Sequence, residues 1–196
     1  MKTKEIEERV LISEEQYTKI EKYLKENFSH ITITHQKNRY FDDKDRTIKR
    51  IRNVLRIRSF RSCKERELTY KVKGTEGDFE YTQMLSHYWF YQITRFSRLP
   101  DGIVKDTLIK DGVDVNSLTM LVDLYTKRME VKCNDYLLVL DANMYNGIND
   151  YNIEIESNVS KKHAKEIILK YCEMFGLTYS DNYVVKSRRA FESLKK

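Results

Sequence analysis

The chain has 196 residues, 40% of them hydrophobic, with a formal net charge of +6 and an isoelectric point near 9.0. That is enough apolar material for one substantial core without staples, and the three cysteines, Cys63, Cys133 and Cys172, are too scattered for a disulfide framework or a structural zinc site. Residues 1–30 are charged throughout and no later stretch reaches membrane-spanning length, so a signal-peptide core and a transmembrane helix are excluded and a reducing cytoplasm is the expected location.

A basic balance favours anionic partners, but 34% charged residues of both signs leave nucleic acid, acidic lipid and nucleotide open. One proline, six glycines and no low-complexity run or repeat give no linker, so a single domain over 1–196 is expected.

In chain order, a strand is predicted over 5–12, then a helix. There Ser13 followed by Gln16 resembles a capping box ahead of Tyr17, Ile20 and Leu24. A strand over 31–41 precedes the clearest alternation, 54–60, where apolar and basic residues exchange at a period of two. The pattern repeats over 67–73. Turn chemistry at 74–78 then leads to a third strand over 79–85, which reads as an antiparallel meander. A helix is expected over 86–99. Further strands fall at 121–133, 136–141 and 151–157, with Asn134-Asp135 and Asn146-Gly147 as tight turns. Ser160 caps a helix carrying Ala164, Ile167, Ile168 and Tyr171 that ends at Gly176, and a last helix is expected over 188–196.

What alternates with the apolar residues is almost wholly ionised. Side chains at i and i+2 share a strand face about 7 Å apart. Glu5, Glu7 and Arg9 therefore point together, as do Arg56 and Arg58, Lys71 and Lys73, Arg128, Glu130 and Lys132, and Glu154 and Glu156. Paired carboxylates suit a hard cation such as Mg²⁺ or Mn²⁺, and arginine forks suit phosphate oxygens. Spacing alone fits a solvated face equally well. The basic residues do not form a stacking platform with exposed aromatics, which disfavours general nucleic-acid binding.

Several motifs occur in a fixed order: Glu5-Ile6-Glu7-Glu8-Arg9, Asn38-Arg39-Tyr40-Phe41-Asp42, Leu55-Arg56-Ile57-Arg58, Leu68-Thr69-Tyr70-Lys71, Val139-Leu140-Asp141 and Tyr151-Asn152-Ile153-Glu154-Ile155-Glu156. Together they resemble the CYTH superfamily, the triphosphate tunnel metalloenzymes, and most closely its small single-domain bacterial branch of Gram-positive species. The resemblance implies an α+β fold: a closed antiparallel β-barrel tunnel of about eight strands, charged inside, with helices packed outside.

Carried over residue by residue, the resemblance makes Glu5, Glu7, Glu154 and Glu156 metal ligands, with Asp141 a ligand or a supporting carboxylate. Arg9, Arg56, Arg58, Lys71 and Arg128 become triphosphate-binding cations, with Lys73 and Lys132 on the same faces. Lys186-Ser187-Arg188 resembles a late motif that returns a cation to the tunnel mouth, and Glu80 falls where relatives place an inward glutamate, to orient water or to pair with Arg58. The implied catalytic group is Glu5, Glu7, Arg9, Glu154 and Glu156. Arginine stands at position 9 where the family usually has lysine, and because it cannot lose its proton a general-base role is replaced by an electrostatic one. Tyr151-Asn152 likewise replaces a frequent further carboxylate.

The implied activity is hydrolysis of inorganic triphosphate or a small organic triphosphate such as thiamine triphosphate, dependent on Mg²⁺ or Mn²⁺. The alternatives are a class IV-type adenylate cyclase and a non-catalytic binder of polyphosphate, nucleotide or an RNA 5′ end, since one fold hosts several reactions. No membrane partner is implied, and the oligomeric state is left open.

Overall fold

A computed structural model describes residues 1–75 and 77–195. Nine strands form one antiparallel sheet: β1 (Lys2–Glu5), β2 (Glu7–Ile12), β3 (Thr32–Asp42), β4 (Val54–Phe60), β5 (Arg66–Val72), β6 (Asp78–Met84), β7 (Thr119–Lys132), β8 (Tyr136–Tyr145) and β9 (Ile148–Ser157), in the order β1-β6-β5-β4-β3-β7-β8-β9-β2. The expected meander is β4-β5-β6, though Glu76 of its turn lies outside the described residues.

The sheet corrects the expectation of a closed barrel of about eight strands. It is a curled half-barrel whose two end strands are successive pieces of chain: Glu5 ends β1 against Asp78 of β6, Ile6 intervenes, and Glu7 starts β2 against Glu156 of β9. The segment expected as one strand over 5–12 divides at Ile6 and sends its halves to opposite ends of the sheet. Among the described residues no ladder joins β6 directly to β9.

Alternation dictates what each face meets. On the convex side Val10, Ile12, Met129, Val131, Leu138, Leu140, Ile153 and Ile155 bury against α1 (Glu14–Asn27) and α5 (Lys161–Phe175), which contribute Ile20, Leu24, Ile168 and Phe175. Both helices start as their sequences require. Ser13 Oγ accepts from the Gln16 amide at 3.1 Å while the Ser13 amide donates to Gln16 Oε1 at 2.9 Å, and Ser160 Oγ accepts from the His163 amide at 3.1 Å. α5 ends at Gly176, whose φ of 64° is the left-handed conformation that favours glycine.

A second core lies outside β4 and β5, where Leu55, Ile57, Leu68 and Tyr70 meet α3 (His87–Phe96) and α4 (Ile103–Lys110). α4 has no sequence signal at its start, because its N-cap is Gly102 with φ 136° and no side-chain capping bond. The single turn α2 (Thr47–Arg50) is instead capped from a distance, with Asp43 Oδ1 accepting from the Thr47 amide and the Asp42 carboxylate from the amides of Ile48 and Lys49. The last helix starts earlier than expected, as α6 (Lys186–Glu192), and Lys196 lies outside the described residues. α6 packs on the concave face, where Ala190 and Phe191 join Tyr40, Val122, Leu124 and Tyr145. It covers one end of the hollow and delivers Lys186 into it.

Candidate functional site

The concave face collects the alternating charges, and register decides which of them meet. β2 against β9 places Arg9 opposite Glu154 but Glu7 opposite Glu156, a like-charge pair. β7 against β8 places Arg128 opposite Asp141, and β5 against β6 places Lys71 opposite Glu80.

Two acids are fully neutralised. Arg128 forks onto Asp141, Nε to Oδ1 at 2.9 Å and Nη2 to Oδ2 at 2.8 Å, and the same Nη2 reaches Glu154 Oε2 at 3.0 Å. Lys186 contacts Asp141 Oδ2 and lies 3.1 Å from Glu154 Oε1, which also accepts from Asn152 Nδ2 at 3.2 Å. Burial would raise both carboxyls, Asp141 and Glu154 being 0% and 1% exposed, but Arg128 and Lys186, with Arg9 for Glu154, hold them below the ordinary range. Asp141 is therefore a buried counter-ion for Arg128 and Lys186. Of the two expected roles, ligand or supporting carboxylate, these contacts accord with the supporting one.

Three other acids are gathered with compensation that is shared and uneven. Carboxylate oxygens of Glu5, Glu7 and Glu156 lie within 4.8 Å of one another. Lys71 contacts Glu5 and sits 3.2 Å from Glu7 Oε1, and Arg9 also contacts Glu7. Burial pushes the Glu5 carboxyl up, but Lys71, with Arg56 and Arg9, outweighs it and keeps Glu5 low. Among the described residues the cation paired with Glu156 is Arg128, 3.6 Å away; burial and the charges of Glu5, Glu154 and Glu130 outweigh it and push the carboxyl up to about 7. Three converging carboxylates, one of them short of positive charge, are an oxygen donor set that fits a hard divalent cation.

The third group is cationic. Arg56 pairs with Glu80 at 3.4 Å, which assigns Glu80 to Arg56 instead of Arg58, and the Arg56 Nε is buried with no partner. Arg58 donates only to Asn38 Oδ1, at 3.0 Å, and has no ion pair among the described residues. Burial, with Arg56 and Arg128 nearby, pulls its guanidinium down to about 10, the mark of a positive charge with no counter-ion.

Three expected site residues stand outside this arrangement. Lys73 lies past the end of β5, 60% exposed, and pairs with Asp78 at 3.2 Å. Lys132 is the exposed last residue of β7. Arg188 is 66% exposed on Glu192, because two residues along a helix turn a side chain about 200° from Lys186. Asp78, near both Lys71 and Lys73, reads in the sequence only as turn chemistry, although it shares its face with Glu80 two residues on. Tyr183, whose ring centroid is 5.2 Å from the Arg9 guanidinium, had no signal at all.

Elsewhere, Ser157 Oγ meets His163 Nδ1 at 2.9 Å and His163 Nε2 meets Asp135 at 2.8 Å. Ser157 is 6% exposed and its oxygen already accepts from the Val159 amide, so the trio staples the corner between β9, α5 and the β7-β8 turn. A groove of about 490 Å³ lined by His35, Lys37, Arg61, Tyr125 and Lys127 contains none of the clustered acids.

A curled antiparallel sheet whose concave face gathers a carboxylate trio and an arginine, Arg58, that has no ion pair among the described residues, and whose convex face carries helices, defines a class of charge-lined basin proteins. Residues 3–181 match the CYTH domain, and the chain belongs to that family. It is 33% identical over 153 residues to Bacillus subtilis YjbK, named as a candidate triphosphatase, covering 78% of this chain and 77% of that one. A Bacillus halodurans protein described as a candidate adenylate cyclase superposes with a TM-score of 0.87 at 28% identity, over 97% of this chain and 98% of the other. A Hippeastrum protein, described as a candidate adenylyl cyclase with a dominant triphosphatase activity, shares the fold with a TM-score of 0.78 at 20% identity, over 98% and 96%.

Proposed function

We propose that the chain hydrolyses the terminal phosphoanhydride of inorganic triphosphate or of a small organic triphosphate, with a divalent cation held by Glu5, Glu7 and Glu156. The observation that carries this reading is Arg58, a half-buried guanidinium with no ion pair among the described residues, on the same concave face as Arg56 and Arg128 and the acid trio. Withdrawing a charge partly from water without a counter-ion costs free energy. A polyanion recovers that cost by supplying the missing charge. The names of the B. subtilis and Hippeastrum relatives support the same direction.

Arg58, Arg56 and Arg128 would grip phosphoryl oxygens in the plane of their guanidinium groups and align the chain of phosphates. Arg128 and Lys186 keep Asp141 and Glu154 neutralised, so these two acids do not repel the substrate. Arg9, always protonated, keeps its charge on Glu7 and Glu154. When bound, Mg²⁺ or Mn²⁺ would supply Lewis-acid neutralisation of charge developing on the phosphoryl oxygens.

The test is phosphate release from inorganic triphosphate, thiamine triphosphate and ATP with Mg²⁺, Mn²⁺ or EDTA, using wild type and Glu7→Gln. Metal-dependent phosphate release that Glu7→Gln abolishes is the expected result. Cyclic AMP and pyrophosphate from ATP, without phosphate, would instead establish the cyclase reading that the B. halodurans description favours. Tight triphosphate binding with no turnover would establish a binder.

A further inference from the structure

The family match ends at residue 181. Just past it, two guanidinium groups lie near the Tyr183 ring, Arg9 at 5.2 Å and Arg189 at 5.3 Å from its centroid. Arg189, on α6, is immobilised from outside. Its Nε and Nη2 both donate to Asp150 at 2.8 Å, and its Nη1 donates to the Val184 carbonyl at 2.6 Å and to the Tyr183 hydroxyl. Asp150 is in turn fixed by Asn143 Nδ2 at 3.0 Å and by the Tyr145 hydroxyl. The ring is thus held by Arg189 through its hydroxyl, with the Arg9 guanidinium over it.

A guanidinium presents all its donors in one plane. With the ring beside it, Arg9 keeps its donors on carboxylates, in contact with Glu7 and 3.6 Å from Glu154. Glu7 is the member of the acid trio that Arg9 touches, and its other cationic neighbour, Lys71, is shared with Glu5. A lysine at position 9 would be a point charge without a face to cover. The arginine needs something to fix its plane.

We propose that Tyr183 is a positioning residue for cation capture: by stacking on Arg9 it fixes the guanidinium edge that holds the Glu7 carboxylate in the Glu5-Glu7-Glu156 trio. The inference rests on the proposed reading of that trio as the cation site. It makes residue 183 energetically coupled to the identity of residue 9.

Mn²⁺ is titrated into substrate-free protein, and free Mn²⁺ is read by electron paramagnetic resonance, for wild type, Tyr183→Leu, Tyr183→Phe, Arg9→Lys and the Arg9→Lys/Tyr183→Leu double variant. Loss of a desolvated cation–aromatic contact predicts about tenfold weaker Mn²⁺ binding in Tyr183→Leu. Tyr183→Phe, which keeps the ring, stays within about twofold of wild type by the same reasoning. On the Arg9→Lys background, where no guanidinium plane is left to orient, Tyr183→Leu has a clearly smaller effect. Circular dichroism in EDTA checks folding, and Tyr183→Met takes the place of the leucine variant if the latter is unfolded. Unchanged binding in a folded ring-less variant, or an equal loss on the Arg9→Lys background, overturns the inference while leaving the cation site standing. A wild type that binds no Mn²⁺ overturns the cation site itself and the inference with it.

Discussion

Glu156→Gln should stabilise the metal-free protein while destroying its capacity for a cation. The Glu156 carboxyl is pushed from 4.5 to about 7 by burial and by Glu5, Glu154 and Glu130, against Arg128 alone. At 1.36 kcal/mol per pKa unit, ionising it in the folded protein costs roughly 3 kcal/mol. The side chain is 26% exposed, and water in the basin screens part of that cost, leaving about 2 kcal/mol. A carboxyl whose folded-state pKa lies above its unfolded value weakens folding only where the folded protein must ionise it. The penalty is absent below about pH 4.5, grows as pH rises towards 7 and is complete above that. Glutamine removes it and leaves Arg128 its pairs with Asp141 and Glu154. In urea unfolding with EDTA at pH 8, the variant should be more stable by about 2 kcal/mol, which corresponds to roughly 4–8 °C in Tm for a chain of this size. The gain should shrink towards zero near pH 4.5. Equal stability at pH 8, or a gain independent of pH, would refute the account of Glu156 as a carboxylate held against its neighbours.

Arg58→Ala should raise KM for triphosphate at least about tenfold, since a charge-assisted contact to phosphate is worth on the order of 1.5–3 kcal/mol, whereas Arg188→Ala should leave KM unchanged because its pair with Glu192 faces solvent. Steady-state kinetics on both variants decides this, and equal effects would count against the placement of Arg58. Asp141→Asn should destabilise the protein by about 3–5 kcal/mol in denaturant titration, because it leaves Arg128 and Lys186 partly uncompensated in a buried site. A loss under 1 kcal/mol would show that Glu154 suffices for both cations. Gly176→Ala should cost about 1 kcal/mol in the same assay through the left-handed φ of 64°, with no effect on Mn²⁺ binding.

The sequence made legible whatever repeats locally. The two-residue alternation of β4, β5, β7 and β9 predicted both strands and shared faces, and Ser13, Ser160 and Gly176 marked helix ends through chemistry that acts within a few residues. What it concealed depends on long-range register or on the absence of a local signal. α4 begins at a glycine without a capping side chain, and α2 is capped by Asp42 and Asp43 from the end of β3 and the turn after it. Lys186 and Arg188 read as one basic motif, yet the helix sends one into the basin and the other to solvent. Composition could not sort Asp141 from Glu156 either, since both are acids on charged strands.

That sorting follows from how β2 lies on β9. The register that sets Arg9 opposite Glu154 necessarily sets Glu7 opposite Glu156 two residues away. Like charges directly opposite on neighbouring strands oppose pairing. A slip of two residues would keep Val10 and Ile12 on the convex core and set Arg9 opposite Glu156 instead, yet the chain does not adopt it. The observed register surrounds Glu154 with Arg9, Arg128 and Lys186 and leaves Glu156 with one distant arginine. Local electrostatics therefore favour a different pairing from the one adopted, and such conflicts concentrate where a structure is shaped for binding. A divalent cation at Glu5, Glu7 and Glu156 would remove this conflict, as a polyanion would remove the one at Arg58. The same basin would then bind both, each in the place where the protein leaves a charge of the opposite sign unpaired.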